Sequence, residues 1–296
     1  MQYQWHPGHM FKTKKQMQED IRFIDVILEL VDARIPYSSK NPEIDKLATN
    51  KSRVLLFNKE DMADPKATDR WSRYYEERGY VTARLNSKSG SGVGQIQEKI
   101  KQACHEKLER DRRRGILNRP LRAMIVGIPN VGKSTFINSF AGKACTKTGN
   151  KPGVTKGKQW IRLNKTVELL DTPGILWPKF EDQRVGQNIA FIGSINDDIL
   201  NPTELAYELC KFLSKRYPDS LKEKYEVTEN TNALVMLEQI AQKRACRKKG
   251  GDLDLERAAI LLLDDFRNAK IRKITLELPE DILNENSKGE NQKEDQ

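Results

Sequence analysis

Gly127-Ile128-Pro129-Asn130-Val131-Gly132-Lys133-Ser134 decides the fold. The apolar run Ala123-Met124-Ile125-Val126 precedes it, and the helix-like Thr135-Phe136-Ile137-Asn138-Ser139-Phe140 follows. Strand, glycine-rich turn and helix in that order, with the spacing G-x-x-x-x-G-K-S, make a phosphate-binding loop. Glycines let successive N–H groups converge on phosphate oxygens, and the new helix points its positive end at the same place. Asn130, Val131, Gly132, Lys133, Ser134 and Thr135 are the nucleotide contacts expected of this loop. Lys133 reaches the β- and γ-phosphates, and the Ser134 hydroxyl is a ligand for Mg²⁺.

Upstream, 23–31 reads as a buried strand ending at Asp32-Ala33-Arg34, 41–49 as a short helix, and 53–57 as a second strand. Asn58-Lys59-Glu60-Asp61 stands at the carboxyl end of that strand, where an open α/β sheet binds its ligands. Its chemistry suits guanine. The Asp61 carboxylate accepts from both N1–H and N2–H₂, a pair that adenine does not present; Asn58 suits the N7/O6 edge, and the stem of Lys59 can lie over the base. ATP would leave Asp61 unpaired and be rejected. A helix over 65–79 and a strand over 80–85 lead to Asn86-Ser87-Lys88, a turn that can offer backbone N–H to guanine O6. Gly92 and Gly94 introduce a helix running to about 110, and the charged 111–115 reads as a solvated linker.

After the phosphate loop, a hairpin over 158–163 and 167–170 ends at Asp171-Thr172-Pro173-Gly174. Asp171 is placed to hold Mg²⁺ through water, Thr155 to complete the metal shell, and the Gly174 N–H to meet the γ-phosphate. Because the Thr155 and Gly174 contacts require that phosphate, hydrolysis would release both segments.

The fold class is therefore α/β, a doubly wound, mostly parallel sheet, with a small all-α C-terminal domain. From about 183 the periodicity is helical, with Asn201-Pro202-Thr203 starting one helix and Gly250-Gly251-Asp252 separating the last two. The expected divisions are 1–178 for the nucleotide domain with its N-terminal extension, 179–283 for the helical domain, and 284–296 for a polar, disordered tail. Lys243, Arg244, Arg247, Lys248, Lys249, Arg257 and Lys270 are the candidate RNA contacts. The chain carries a formal charge of +10, so a second polyanion besides the nucleotide is expected.

Within the 296 residues no run approaches the roughly 18 apolar residues of a membrane span. Residues 1–10 lack a signal-peptide core, and the basic 11–22 is neither arginine- nor serine-rich as a transit peptide would be. Cys104, Cys145, Cys210 and Cys246 are widely spaced, which argues against disulfides and zinc and for a reducing cytoplasm.

Taken together, the phosphate loop, Thr155, Asp171-Thr172-Pro173-Gly174, Asn58-Lys59-Glu60-Asp61 and Asn86-Ser87-Lys88 resemble the motifs of translation-factor-like GTPases, with the base-reading pair moved ahead of the phosphate loop. That order resembles the circularly permuted GTPases. Within them, Trp5-His6-Pro7-Gly8-His9-Met10 and Asp171-Thr172-Pro173-Gly174-Ile175-Leu176-Trp177-Pro178 look like the bacterial ribosome biogenesis GTPase A (YlqF) family, over about residues 1–283. The resemblance implies a monomeric GTPase that cycles between GTP and GDP, grips ribosomal RNA with its helical domain, and drives a late step of large-subunit assembly, activated by docking on the large-subunit precursor. Ile175 stands where many GTPases carry a water-orienting glutamine, so intrinsic turnover is expected to be slow. The resemblance assigns the catalytic role to His9, and to Asn130 a part in holding K⁺ against the phosphates. Two other functions fit the same motifs: a GTP-regulated RNA-binding module in which hydrolysis is incidental, and a permuted GTPase of the small subunit or of a mitochondrial ribosome.

Overall fold

In the computed structural model of the chain, the residues described are 15–116, 119–142, 159–162, 166–172, 180, 182–196, 200–228 and 232–283. Strand β1 (Val26–Asp32) is buried at all 7 of its positions, as a central strand covered on both faces must be. Glu29, the charged residue in the middle of this strand, is paired with Arg53 at 2.5 Å and accepts the Asn41 N–H at 3.0 Å. After helix α1 (Pro42–Leu47), β2 (Ser52–Asn58) lies parallel to β1, with Asp32 beside Asn58 at their carboxyl ends. Helix α2 (Pro65–Glu76) leads to β3 (Val81–Leu85) on the outer side of β2.

The expected helix up to about residue 110 is two helices, α3 (Ile96–Ala103) and α4 (His105–Arg113), broken at Cys104. The charged segment read as a linker is thus helical to Arg113. The chain then crosses to the other side of β1, where β4 (Leu121–Val126) pairs with it in parallel. Helix α5 (Lys133–Ala141), β5 (Gln159–Arg162) and β6 (Val167–Asp171) complete a sheet of order β3-β2-β1-β4-β6-β5, parallel except for β5 against β6.

This order reverses between β1 and β4, and such a switch point is where doubly wound sheets bind ligands. The glycine loop after β4 stands at it. Alternating residues of β1 face opposite ways: Leu28 and Leu30 pack with Ile125, Phe136 and Ile137, while Ile27 packs with Met17, Met124 and Leu170.

Among the described residues five α-helices follow: α6 (Gln183–Phe191), α7 (Pro202–Arg216), α8 (Asp219–Tyr225), α9 (Ala233–Lys243) and α10 (Leu255–Arg267). Asn201 caps α7 as its sequence predicts, accepting from the N–H groups of Thr203 and Glu204. Leu209, Leu213, Leu237, Ile240, Leu262 and Phe266 form the bundle's interior, and their cluster is continuous with the sheet face that holds Phe136.

Beyond α10 the chain returns to the sheet. Ile274 N–H donates to Met62 O at 3.1 Å, Leu276 N–H to Arg34 O at 2.8 Å, and Trp71 Nε1 to Glu277 O at 2.9 Å. Glu277 is buried and accepts from Ser38 N–H (2.8 Å), the Ser38 hydroxyl (2.5 Å), Asn188 Nδ2 (3.1 Å) and the Tyr37 N–H. Among the described residues, no helix is long and apolar enough to cross a membrane.

Candidate nucleotide-binding site

The loop from Gly127 to Gly132 is built where side chains have no room. A Cβ on Gly127 would stand 2.7 Å from Leu30 O, and one on Gly132 2.4 Å from Asn58 Nδ2. Gly132 is left-handed (φ 101°) and is the N-cap of α5, offering no side-chain cap. The first turn of α5 therefore opens directly on the loop, and a helix N-terminus, with its positive end and outward N–H groups, favours an anion there. Ser134 and Thr135 lie half-buried on that turn.

Lys133 is buried, and its ammonium donates to Gly127 O at 3.0 Å and Ile128 O at 3.1 Å, curled over the loop that it is expected to serve. Burial pushes it down to about 8, opposed by the Asp171 carboxylate. Asp171 ends β6 and is 1% exposed. Neither of its carboxylate oxygens has a hydrogen-bond partner among the described residues. Burial pushes its carboxyl up to about 6, with Lys133 opposing. A buried carboxylate so short of donors among the described residues is costly; hydrated Mg²⁺ would supply them, so this position fits the metal. Thr172 is anchored beside it, its hydroxyl donating to Ile125 O at 2.6 Å. His9, Thr155 and Gly174 lie outside the described residues.

Asn58, at the end of β2, does more than its motif indicated. Its Nδ2 donates to Val131 O at 2.7 Å, while its Oδ1 accepts from Ser87 N–H (3.0 Å) and from the Ser87 hydroxyl (2.8 Å). One side chain thus ties the phosphate loop to the loop after β3. Asn86 shapes that second loop, accepting from the N–H groups of Lys88 (2.9 Å) and Ser89 (3.1 Å), an Asx turn.

Lys59 adopts the left-handed conformation (φ 60°) and donates to Asn130 O at 2.9 Å. It also pairs with Asp32 at 3.0 Å. Asp32 is gripped in turn by the Arg34 fork, at 2.9 Å from Nε and 2.8 Å from Nη2. Burial opposes the charge on Asp32, yet Arg34 and Lys59 hold its carboxyl well below the usual range. Neither Asp32 nor Arg34 was marked by the sequence as part of the site; the D-x-R spacing is the one local hint, since it lets a guanidinium fork back onto the carboxylate two residues earlier. Asp61 is exposed and opens onto a cleft of about 340 Å³ shared with Asn86, Ser89, Arg84 and Lys273.

The basic candidates divide. Lys243, Arg244, Arg247, Lys248 and Lys249 run from the end of α9 into a tight hairpin, in which Arg247 pairs with Leu253 and Lys248 N–H donates to Asp252 O at 2.9 Å. Arg257 begins α10 just beyond, whereas Lys270 follows the other end of that 13-residue helix, about 20 Å away. Lys243 is ion-paired with Glu226, and Lys270 with Asp264 at 2.9 Å. Arg247 donates to Gly251 O at 2.6 Å. Arg244, Lys248, Lys249 and Arg257 are exposed.

Residues 122–241 match the family model described as a 50S ribosome-binding GTPase. Ribosome biogenesis GTPase A of Bacillus cereus is 46% identical over 283 residues, 95% of this chain and 96% of that protein. Its namesake from Thermotoga maritima is 31% identical over 278 residues, covering 94% and 95%. Among solved structures, GNP-bound YlqF from T. maritima superposes with a TM-score of 0.65 at 26% identity, covering 91% of this chain and 99% of that one. Similarity over nearly the whole of both chains, on a sheet that brings a phosphate loop, the Asn58-Lys59-Glu60-Asp61 loop and the buried Asp171 together, places this protein in the ribosome biogenesis GTPase A family, and its activity is GTP hydrolysis.

Proposed function

We propose that this GTPase drives a late step in assembly of the large (50S) ribosomal subunit in the cytoplasm, binding the precursor as a monomer in its GTP state and leaving after hydrolysis. The observation that carries the catalytic half is Asp171, buried beside Lys133 at the end of β6, its oxygens without a side-chain or loop hydrogen-bond partner among the described residues. The choice of partner is supported by the names of the matching family and relatives and by the exposed Arg244, Lys248, Lys249 and Arg257 around the α9–α10 hairpin. These residues, with Arg247, Lys243 and Lys270, would contact rRNA phosphates, making the attachment salt-dependent. The division of labour would follow the chain: 1–178 reads the nucleotide and 179–283 the RNA.

In the nucleotide site, Asp61 accepts from guanine N1–H and N2–H₂, with Asn58, Lys59, Asn86 and Ser87 framing the base. The N–H groups of 130–135 receive the phosphates, and Lys133 leaves the carbonyls of Gly127 and Ile128 for the β- and γ-oxygens. Ser134, Thr155 and, through water, Asp171 would hold Mg²⁺, whose charge would offset the negative charge developing on the phosphates. Asn130 donates its Nδ2 to Gly193 O, which leaves Oδ1 as the amide's acceptor and suits a K⁺ ion beside the phosphates. His9 orients the attacking water once the precursor docks, and Thr155 and Gly174 let go when the γ-phosphate is lost.

Hydrolysis measured in potassium buffer with purified large or small subunits, for wild type and His9→Ala, tests this. Stimulation by the large subunit alone, lost in a variant that still binds GTP, is expected. Stimulation by the small subunit, or by neither, overturns the partner. Equal turnover in KCl and NaCl removes the K⁺.

A further inference from the structure

The end of helix α6 turns back onto the phosphate loop. Its terminator is Gly193, left-handed at φ 74°. Gly193 N–H donates to Ala190 O at 3.0 Å and Ser194 N–H to Ile189 O at 3.1 Å, the paired bonds of a Schellman ending. With the backbone so closed, two polar groups of the turn face residues 127–132. Asn130 Nδ2 donates to Gly193 O at 2.7 Å, and the Ser194 hydroxyl donates to Pro129 O at 2.7 Å. Ser194 is wholly buried. Asn130 lies at φ 58°, the left-handed region that asparagine tolerates better than most residues with a Cβ.

The turn is itself held from the helical bundle. Arg267, at the end of α10, donates through Nη2 to Ala190 O (2.9 Å) and through Nε to Phe191 O (3.0 Å), satisfying carbonyls in the last turn of α6. The packing is close enough that a Cβ on Gly193 would meet Arg267 Nε at 3.2 Å. The carbonyl of Arg267 accepts from Arg34 Nη1 at 3.0 Å. Arg34 grips Asp32, Asp32 pairs with Lys59, and Lys59 donates to Asn130 O. Asn130 is therefore gripped at its side chain and at its carbonyl, and both chains of contact lead to Arg267.

We propose that Ser194 and Arg267 are positioning residues of the nucleotide site, holding Pro129 and Asn130 in their phosphate-accepting bend, so that nucleotide affinity depends on the seating of α10. This rests on reading 127–134 as the phosphate loop. Coupling of this kind is reciprocal: a partner that shifts α10 changes nucleotide affinity, and nucleotide changes the partner's affinity by the same factor.

Titration of the full chain with a fluorescent GDP analogue, with dissociation followed by stopped flow, tests it. Ser194→Ala is expected to weaken binding by about three- to tenfold and Arg267→Met by about tenfold or more, mostly through faster dissociation. In a double-mutant cycle, Arg267→Met should add less once Asn130 is alanine, because the route through Gly193 O to the Asn130 amide is then already cut, while those to the Asn130 carbonyl and to Pro129 O remain. A purely structural Arg267 would lower the unfolding midpoint and leave the affinity and the cycle untouched. Wild-type affinity in both variants, or an Arg267→Met loss that adds fully to Asn130→Ala, would overturn the proposal; should Arg267→Met fail to fold, Ser194→Ala decides alone. A wild-type chain that binds no GDP would instead overturn the reading of the loop, and the proposal with it.

Discussion

Replacing Asn58 with alanine removes three hydrogen bonds from a side chain that is 2% exposed: one of 2.7 Å to Val131 O and two, of 3.0 and 2.8 Å, from Ser87. A buried hydrogen bond contributes about 1 kcal/mol net, but a buried partner left alone costs about 1–3 kcal/mol. The Val131 carbonyl and the Ser87 N–H are both left alone, so the expected loss is about 3–5 kcal/mol. Against a total stability of about 5–15 kcal/mol, the protein stays folded with a much lower urea midpoint. Asn58→Asp separates the two halves of the brace. It keeps the acceptor for Ser87 and sets an anionic oxygen against Val131 O, so it should release the phosphate loop while leaving the loop after β3 in place. Both variants should bind GDP at least about tenfold more weakly, since phosphate and base loops no longer share a strut. Gly132→Ala should resemble them, because the new methyl would overlap the Asn58 amide. Urea unfolding at constant m-value, with calorimetric GDP titration, measures both quantities. An Asn58→Ala variant within about 1 kcal/mol of wild type and with unchanged GDP affinity would refute the reasoning.

Asp61→Asn replaces two acceptors with one acceptor and one donor, which suits the N1–H and O2 of xanthine; GDP affinity should fall by about 100-fold or more while xanthosine diphosphate gains, as competition titrations would show. Burial pushes Glu277 up to about 7 from its ordinary 4.5. The folded state thus binds that proton more tightly than the unfolded chain, and the associated stability is complete below pH 4.5 and lost as pH rises through about 7. Thermal midpoints of Glu277→Gln, which has no such proton, should therefore improve relative to wild type between pH 5 and pH 8. Replacing Lys248 and Lys249 with alanine should lower the slope of log affinity against log salt for large-subunit RNA by about 1.5–2, without changing GDP binding.

The phosphate loop was legible because its chemistry is contiguous, and the central strands because burial on both faces leaves an almost unbroken apolar run. Other features depend on where the chain crosses itself. Asn58 reaches Val131 across 73 positions, and Ser38 reaches Glu277 across 239; neither pairing leaves a local trace. The division of α3 from α4 falls on Cys104, with neither glycine nor proline at the break to announce it. Charge alone marked Lys243 and Lys270 for RNA, yet each has an acidic neighbour in the fold, Glu226 and Asp264, that the basic clustering hid. Asp265 sits at a core position of α10 because the Tyr225 hydroxyl donates to it at 2.9 Å inside the bundle.

Co-sedimentation with large-subunit precursors, in a non-hydrolysable GTP analogue and in GDP, is the most direct test of nucleotide-gated docking. Gated docking predicts that the protein pellets with the large-subunit precursor in the analogue, is released in GDP, and does not pellet with small subunits in either. Equal pelleting in both nucleotides, or a preference for small subunits, would contradict it.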